Sequence, residues 1–360
     1  MFSREAGALN SCGILDTGGD MRMRLFAAAL IFFPLAVFPA EPAATLNREV
    51  DAKIIAEVKT LAPELEVGSF AGRQGIRIVY AGAVIDRALG VVLLVNGRNE
   101  SLIKYLSVIG ELNRAGFSVY TYDHRGQGFS GRLLPEPQKG HVDDFADYVA
   151  DLRCFCDHIV RPRSSGKILG LAHSLGGTIA LQYALTYPRE FAGLVLAAPM
   201  LGFSTAPWPA FLVPTLLALL DFCGCEQNYI IGGGPFIPEP FTENNPLNSD
   251  RESYTAYQRL LAEQPLLQLG SPTNAWVRES LRAIRRIEVE AARLELPILL
   301  LQAGDERVVD NRAQRRFCRR AGNCRLLAFP GSRHEILMER PEIKIPALQA
   351  VIDFFLALCR

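Results

Sequence analysis

From about Gly75 onward, short continuous apolar runs alternate with stretches whose apolar residues recur at helical spacing. The runs are "GIRIVYAGAV" (75–84), "GVVLLVNG" (90–97), "FSVYTYDHRG" (117–126), "KILGLAHS" (167–174), "AGLVLAAP" (192–199), "LPILLLQAG" (296–304) and "CRLLAFPG" (324–331). Most end in Gly, Pro, Asn or Asp, and their unbroken apolar character marks strands covered on both faces. Strands of that kind with helices between them predict an α/β protein with a mostly parallel central sheet. Between Leu201 and about Arg293 the alternation stops: "WPAFLVPTLLALLDF", "GGGPFIPEPFTENNP" and two helix-like stretches precede the next strand. The pattern divides the chain into a leader (1–44), a core in two parts (45–200 and 294–360) and a helical insertion (201–293). The Gly232–Gly234 run follows no strand and lacks a phosphate-loop lysine, so it reads as a turn.

The leader has its own pattern. Arg22 and Arg24 precede an apolar run from Leu25 to Phe38, the charged-then-apolar layout of a secretory signal, with Met21 or Met23 as candidate starts. Pro34 interrupts the run, which is short of the ~20 residues of a membrane span. Phe38 and Ala40 would occupy the small-residue positions of the cleavage site, and Phe38 is not small, so an uncleaved anchor is the alternative. Export to a periplasmic or extracellular space, or attachment by this segment, is expected; the cytoplasmic face of an inner membrane is the other placement.

Charge narrows the partners. Lys+Arg and Asp+Glu both total 38, so the net charge is zero and no global field favours nucleic acid. Eight cysteines are too few for a disulfide scaffold in 360 residues. Neither Cys154/Cys156 nor Cys223/Cys225 has zinc spacing with nearby histidines, so no metal is expected. They read as free thiols, with a Cys318–Cys324 bridge open to an exported chain.

The candidate chemistry sits where "KILGLAHSLGGTIALQYAL" (167–185) changes from strand to helix, at Ser174. In α/β hydrolases a tight strand-to-helix turn lifts a nucleophilic serine above the sheet, with small residues two before and two after it. Here those are Ala172 and Gly176, giving A-x-S-x-G where G-x-S-x-G is usual. The Leu175 backbone N–H, at the helix start, is placed to donate to an oxyanion. A plain helix N-cap is the alternative role for the serine. Partners decide between them. A serine needs a base, and the chain order in this fold is serine, acid, histidine. Of His124, His141, His158, His173 and His334, only His334 follows Ser174. Asp305, Glu306 and Asp310 follow the strand "PILLLQAG" and are the candidate acids; Asp305 is the commoner type. The second oxyanion donor is expected from the loop after "GVVLLVNG", where the Arg98 backbone N–H fits. His173, a strand neighbour of Ser174, is expected to point the other way and to be structural.

The segments "NGRNESLIKY", "YDHRGQGFSGR", "GHVDDFADYVADL", "LAHSLGGTIAL", "GSPTNAWVRESL", "LLLQAGDERVVD" and "SRHEIL" extend the likeness. From about Gly75 to the C-terminus the chain resembles the bacterial lysophospholipases of the α/β-hydrolase superfamily, close relatives of monoglyceride lipases. The resemblance implies the α/β-hydrolase fold, an insertion serving as a lid over an acyl-chain pocket, and no cofactor. It also implies that Glu306 holds the place of the family's catalytic aspartate, with Asp305 second, and that Asp123, His124 and Arg125 are structural.

The expected reaction is hydrolysis of a lysophospholipid acyl ester through an acyl-enzyme on Ser174; a monoacylglycerol lipase, a general carboxylesterase and an acyltransferase are alternatives. A non-catalytic ligand-binding protein on the same scaffold is the rival from another class. The apolar stretch from Trp208 to Phe222 fits acyl chains or a membrane surface. Arg251, Arg259, Arg278, Arg282, Arg285 and Arg286 are candidates for a phosphate head group, against the plainer role of a solvated helix face.

Overall fold

The computed structural model describes residues 48–164, 166–203, 209 and 211–360. The leader with its export signal, and Trp208 in the insertion, lie outside the described residues. Eight strands form one sheet in the order β1-β2-β4-β3-β5-β6-β7-β8. They are β1 (Glu66–Ala71), β2 (Arg77–Ala83), β3 (Gly90–Val95), β4 (Phe117–Tyr122), β5 (Ile168–His173), β6 (Gly193–Ala197), β7 (Ile298–Ala303) and β8 (Cys324–Phe329). β1 and β2 are antiparallel to each other, and β2 is antiparallel to β4; from β4 to β8 every pairing is parallel.

The apolar runs dictate this arrangement. All six residues of β3 are buried, and successive side chains point to opposite faces. Val91, Leu93 and Val95 join one apolar cluster, Val92 and Leu94 the other. The first cluster takes in the buried faces of α3 (Ala146–Phe155), α4 (Leu175–Thr186), α7 (Asn274–Glu290) and α8 (Asn311–Ala321). The second takes in α1 (Arg48–Leu61), α2 (Leu106–Arg114) and α9 (Pro341–Cys359). A strand that must satisfy helices on both sides has no polar face to show, which is why its sequence is continuous and legible.

β1 has no such signature. In "EVGSFA" only Val67 and Phe70 are buried, at the sheet edge, where β1 pairs with β2 alone. The residue patterns above do not reveal it. Between β6 and β7 lie α5 (Val213–Phe222), α6 (Arg251–Glu263) and α7. α5 buries Val213 and Leu217, yet its own Leu219 and Phe222, and Phe211 just before it, are exposed. Among the described residues no helix is long and apolar enough to cross a membrane. Cys318, on α8, is joined to Cys324 at the start of β8 by a disulfide. Cys154, Cys156, Cys223 and Cys225 are free.

One buried ion cluster fixes the loop after β4. The Arg125 guanidinium, 1% exposed, donates from Nε and Nη2 to both Asp151 oxygens at 2.6 and 2.8 Å, and from Nη1 to Asp147 at 2.8 Å. Removing one member of such a group strands charges that burial cannot tolerate, at a cost of ~3–5 kcal/mol. Arg125→Met is therefore expected to lower unfolding free energy by about that amount. A urea titration with an unchanged midpoint would contradict the assignment of this cluster as structural.

Candidate active site

Parallel strands bring their carboxyl ends to one edge of the sheet, and there the chain builds a strained corner. Ser174 has φ 51° and ψ −115°, a conformation that costs ~1–3 kcal/mol for a residue with a side chain. Three bonds hold it: its N–H donates to Ala197 at 3.1 Å, and its carbonyl accepts from Gly177 at 3.0 Å and Met200 at 2.9 Å. The glycine two residues on has a steric cause. A Cβ on Gly176 would stand 2.1 Å from the Val95 carbonyl oxygen and 2.5 Å from that of Asn96. Ala172, two residues before Ser174, is fully buried opposite Val95, so its methyl is accommodated.

His334, in the loop after β8, reaches back to this corner. Its Nε2 is 2.9 Å from Ser174 Oγ, and its Nδ1 is 2.9 Å from Glu306 Oε2. The other Glu306 oxygen accepts from the backbone N–H groups of Val308 at 2.8 Å and Val309 at 3.2 Å. Burial works to raise the Glu306 carboxyl, but the hydrogen bond and charge of His334 outweigh it, and the pKa falls below the ordinary glutamate value. The three candidate acids therefore separate. Asp305 is exposed, and Asp310 caps α8 by accepting from the Arg312 N–H at 2.7 Å. Only Glu306 of the three reaches the imidazole. A serine hydroxyl, a base within hydrogen-bond reach and a carboxylate behind that base can together perform nucleophilic attack with proton transfer. Among the described residues the backbone N–H groups of Arg98 and Leu175 have no hydrogen-bond partner, which leaves both able to receive an oxyanion.

His173 corrects one expectation. Its ring does not point away from the site; it lies 4.8 Å from the His334 ring and its Nε2 is 3.3 Å from the His334 carbonyl oxygen. Strand alternation fails here because the chain leaves the strand at Ser174, whose positive φ swings the hydroxyl out of the pleat. The other His173 nitrogen is 3.2 Å from Glu100 Oε2. Glu100 also accepts from Lys104 at 2.8 Å, the Tyr105 hydroxyl at 2.7 Å and the Gly97 N–H. Lys104 in turn pairs with Glu335, the neighbour of His334. Burial opposes charge on His173, and the Glu100 carboxylate more than offsets this, so the imidazole pKa is raised. Residue patterns did not single out Glu100, Lys104 or Glu335; the i,i+4 spacing of the first two was the available signal. His124 stays out of the site: its Nε2 donates to the Asn96 carbonyl at 2.9 Å, and burial pushes its pKa down to about 4.

A profile of the family described as serine aminopeptidase, S33, matches residues 86–341. The chain belongs to that family of α/β hydrolases. This S33 member is 40% identical to lysophospholipase L2 of Escherichia coli K12 over 273 residues, covering 74% of this chain and 80% of that protein. It is 29% identical to the monoacylglycerol lipase of Mycolicibacterium smegmatis over 285 residues, 77% of this chain and 92% of that protein. Its fold is similar to that of a thermostable carboxyl esterase from Bacillus coagulans, solved with glycerol, at a TM-score of 0.68 and 21% identity. That match covers 82% of this chain and 99% of the esterase.

The S33 corner yields a direct test. Gly176→Ala is expected to cost about 3 kcal/mol or more, since the obstacle is backbone rather than a movable side chain. Gly234→Ala, with nothing within 4 Å of the new methyl, is the matched control. Equal urea midpoints for the two variants would refute the close approach.

Proposed function

We propose that this S33 member is a serine hydrolase that cleaves the acyl ester of a lysophospholipid. The observation that carries the reading is the His334 imidazole held between Ser174 and Glu306, 2.9 Å from each. Ser174 Oγ attacks the ester carbonyl while His334 takes its proton and passes it to the departing glycerophosphate alcohol. Glu306 stabilises the imidazolium, and the N–H groups of Arg98 and Leu175 hold the oxyanion. Water, deprotonated by His334, then releases the fatty acid. The steps need no cofactor.

The names of the relatives, lysophospholipase L2 and monoacylglycerol lipase, support a lipid acyl ester as the substrate. We read the 201–293 insertion as a lid over an acyl-chain pocket. Exposure of Phe211 at 79% and Phe222 at 90% beside α5 supports its contact with lipid at a membrane surface. Export or membrane attachment fits Arg22 and Arg24 ahead of the apolar run, and the Cys318–Cys324 bridge fits an oxidising compartment.

Ser174→Ala is expected to lower turnover by about 10^4-fold or more and to abolish labelling by a fluorophosphonate. Wild-type protein inert to that reagent would favour a binding protein instead. Glu306→Gln is expected to cost roughly 10^3–10^4-fold in kcat while Asp305→Asn stays near wild type. The reverse order would move the acid by one residue. On a substrate panel, fatty acid release from lysophosphatidylcholine should exceed release from a short-chain ester; parity would point to a general carboxylesterase.

A further inference from the structure

The arginines singled out from the sequence for a phosphate head group are mostly spent. Arg251 pairs with Glu243, Arg278 with Asp221, Arg282 with Glu279, Arg285 with Glu288 and Arg286 with Glu290. Arg259 stands exposed on α6. A different arginine has the opposite character. The Arg98 side chain is half-buried, yet among the described residues it forms no ion pair with any carboxylate. Its one hydrogen bond runs from Nη2 to the Gly270 carbonyl, and its Nε is buried without a partner. The guanidinium lies over the Trp276 ring at 5.4 Å. Arg125, a short way along the same sheet edge, is spent on two aspartates; Arg98 keeps its donors.

A guanidinium partly withdrawn from water without a counter-ion is costly, and its N–H groups match phosphate oxygens. The position is equally specific. Arg98 follows Gly97, whose Cβ position would fall 2.9 Å from His173 Nδ1, in the loop packed on the Ser174 corner. The bonds from the Arg98 N–H nitrogen to its guanidinium carbon number the same as those from the ester carbonyl carbon to phosphorus in a 1-acyl lysophospholipid. The residue proposed to supply an oxyanion N–H thus carries a cation on a side chain with as many bonds as separate the ester carbon from phosphorus.

We propose that the Arg98 side chain is the head-group subsite: it binds the phosphodiester of a lysophospholipid and favours that substrate over a neutral monoacylglycerol. The assignment rests on the lipid-ester reading above and deepens it. Burial lowers the Arg98 pKa to about 10, which leaves the side chain charged at neutral pH. Trp276 and the Gly270 carbonyl orient the fork, Nε is buried against the protein, and Nη1 is the nitrogen left to face a ligand.

The test compares kcat/KM for lysophosphatidylcholine and for a monoacylglycerol of the same acyl chain, in one detergent, for wild type, Arg98→Gln and Arg98→Lys. Arg98→Gln should lower the lysophospholipid-to-monoacylglycerol ratio by at least about tenfold, through KM, the size of one charge-assisted hydrogen bond. Arg98→Lys should fall between, because it keeps the charge and loses the fork. Should the glutamine variant fail to fold, the lysine variant alone decides: an unchanged ratio overturns the proposal. Parallel loss on both substrates also overturns it, making the side chain a support for the loop. Inhibition of monoacylglycerol cleavage by inorganic phosphate, abolished in Arg98→Gln while the ratio stays constant, would assign the site to free phosphate and overturn the lipid assignment. Wild type that cleaves neither ester, yet is labelled at Ser174, would instead refute the lipid-ester reading.

Discussion

The close approach of two backbones at residue 176 governs the functional edge of the sheet. The end of β3 runs over the first turn of α4 with no room for a side chain between them. β3 ends at Val95 beside this contact, and the chain turns aside into the loop of residues 96–101. Two residues earlier the strand-to-helix turn holds Ser174 at φ 51°. Strain of ~1–3 kcal/mol is tolerable there because β6 and the residues after it supply the bonds that hold the corner.

The loop so created is then tied to the opposite side of the site by buried charge. Glu100 gathers four donors, and the Lys104–Glu335 pair with the His173–His334 contact carries the tie across to the segment that holds His334. Burial would raise the Glu100 carboxyl, but Lys104 and His173 hold it well below the usual range. Such a network adds little net stability, because desolvation offsets most of the attraction. Its value is geometric: when every member is satisfied, the two loops have one relative position. In the proposed mechanism those loops carry the oxyanion donor and the base.

What was legible in the sequence follows from periodicity and spacing. β2 to β8 could be read because helices cover both faces of the central strands, leaving continuous apolar runs. β1 could not, since an edge strand with two buried residues has no such run. Ser174 and His334 were legible through chain order and their places after strands. The network around Glu100 was not, because residues 100, 173 and 335 meet only through the folding of three loops, and no local pattern encodes that meeting. His173 misled for a related reason: strand alternation holds only while the strand lasts. For the arginines of residues 251–286 the plainer of the two sequence readings holds: most stand on solvated helix faces beside carboxylates, a pairing that an arginine in sequence does not itself reveal.

Which carboxylate meets His334 turns on pairing that continues past the strands. Beyond Ala303 and Phe329, the Gly304 N–H donates to Phe329 at 3.0 Å and the Asp305 N–H to Ser332 at 2.8 Å. This last rung joins the loop after β7 to the loop that carries His334. Residue 305 is committed to the rung and sends its side chain to solvent. The next residue turns inward, one step from the rung on its own loop and two from it on the other. A glutamate is longer than an aspartate by one methylene. The extra length is absorbed where Oε1 folds back onto the Val308 and Val309 N–H groups, fixing the carboxylate plane and leaving Oε2 alone to meet the imidazole. Glu306 thus meets the imidazole through one oxygen while the other anchors it to its own turn.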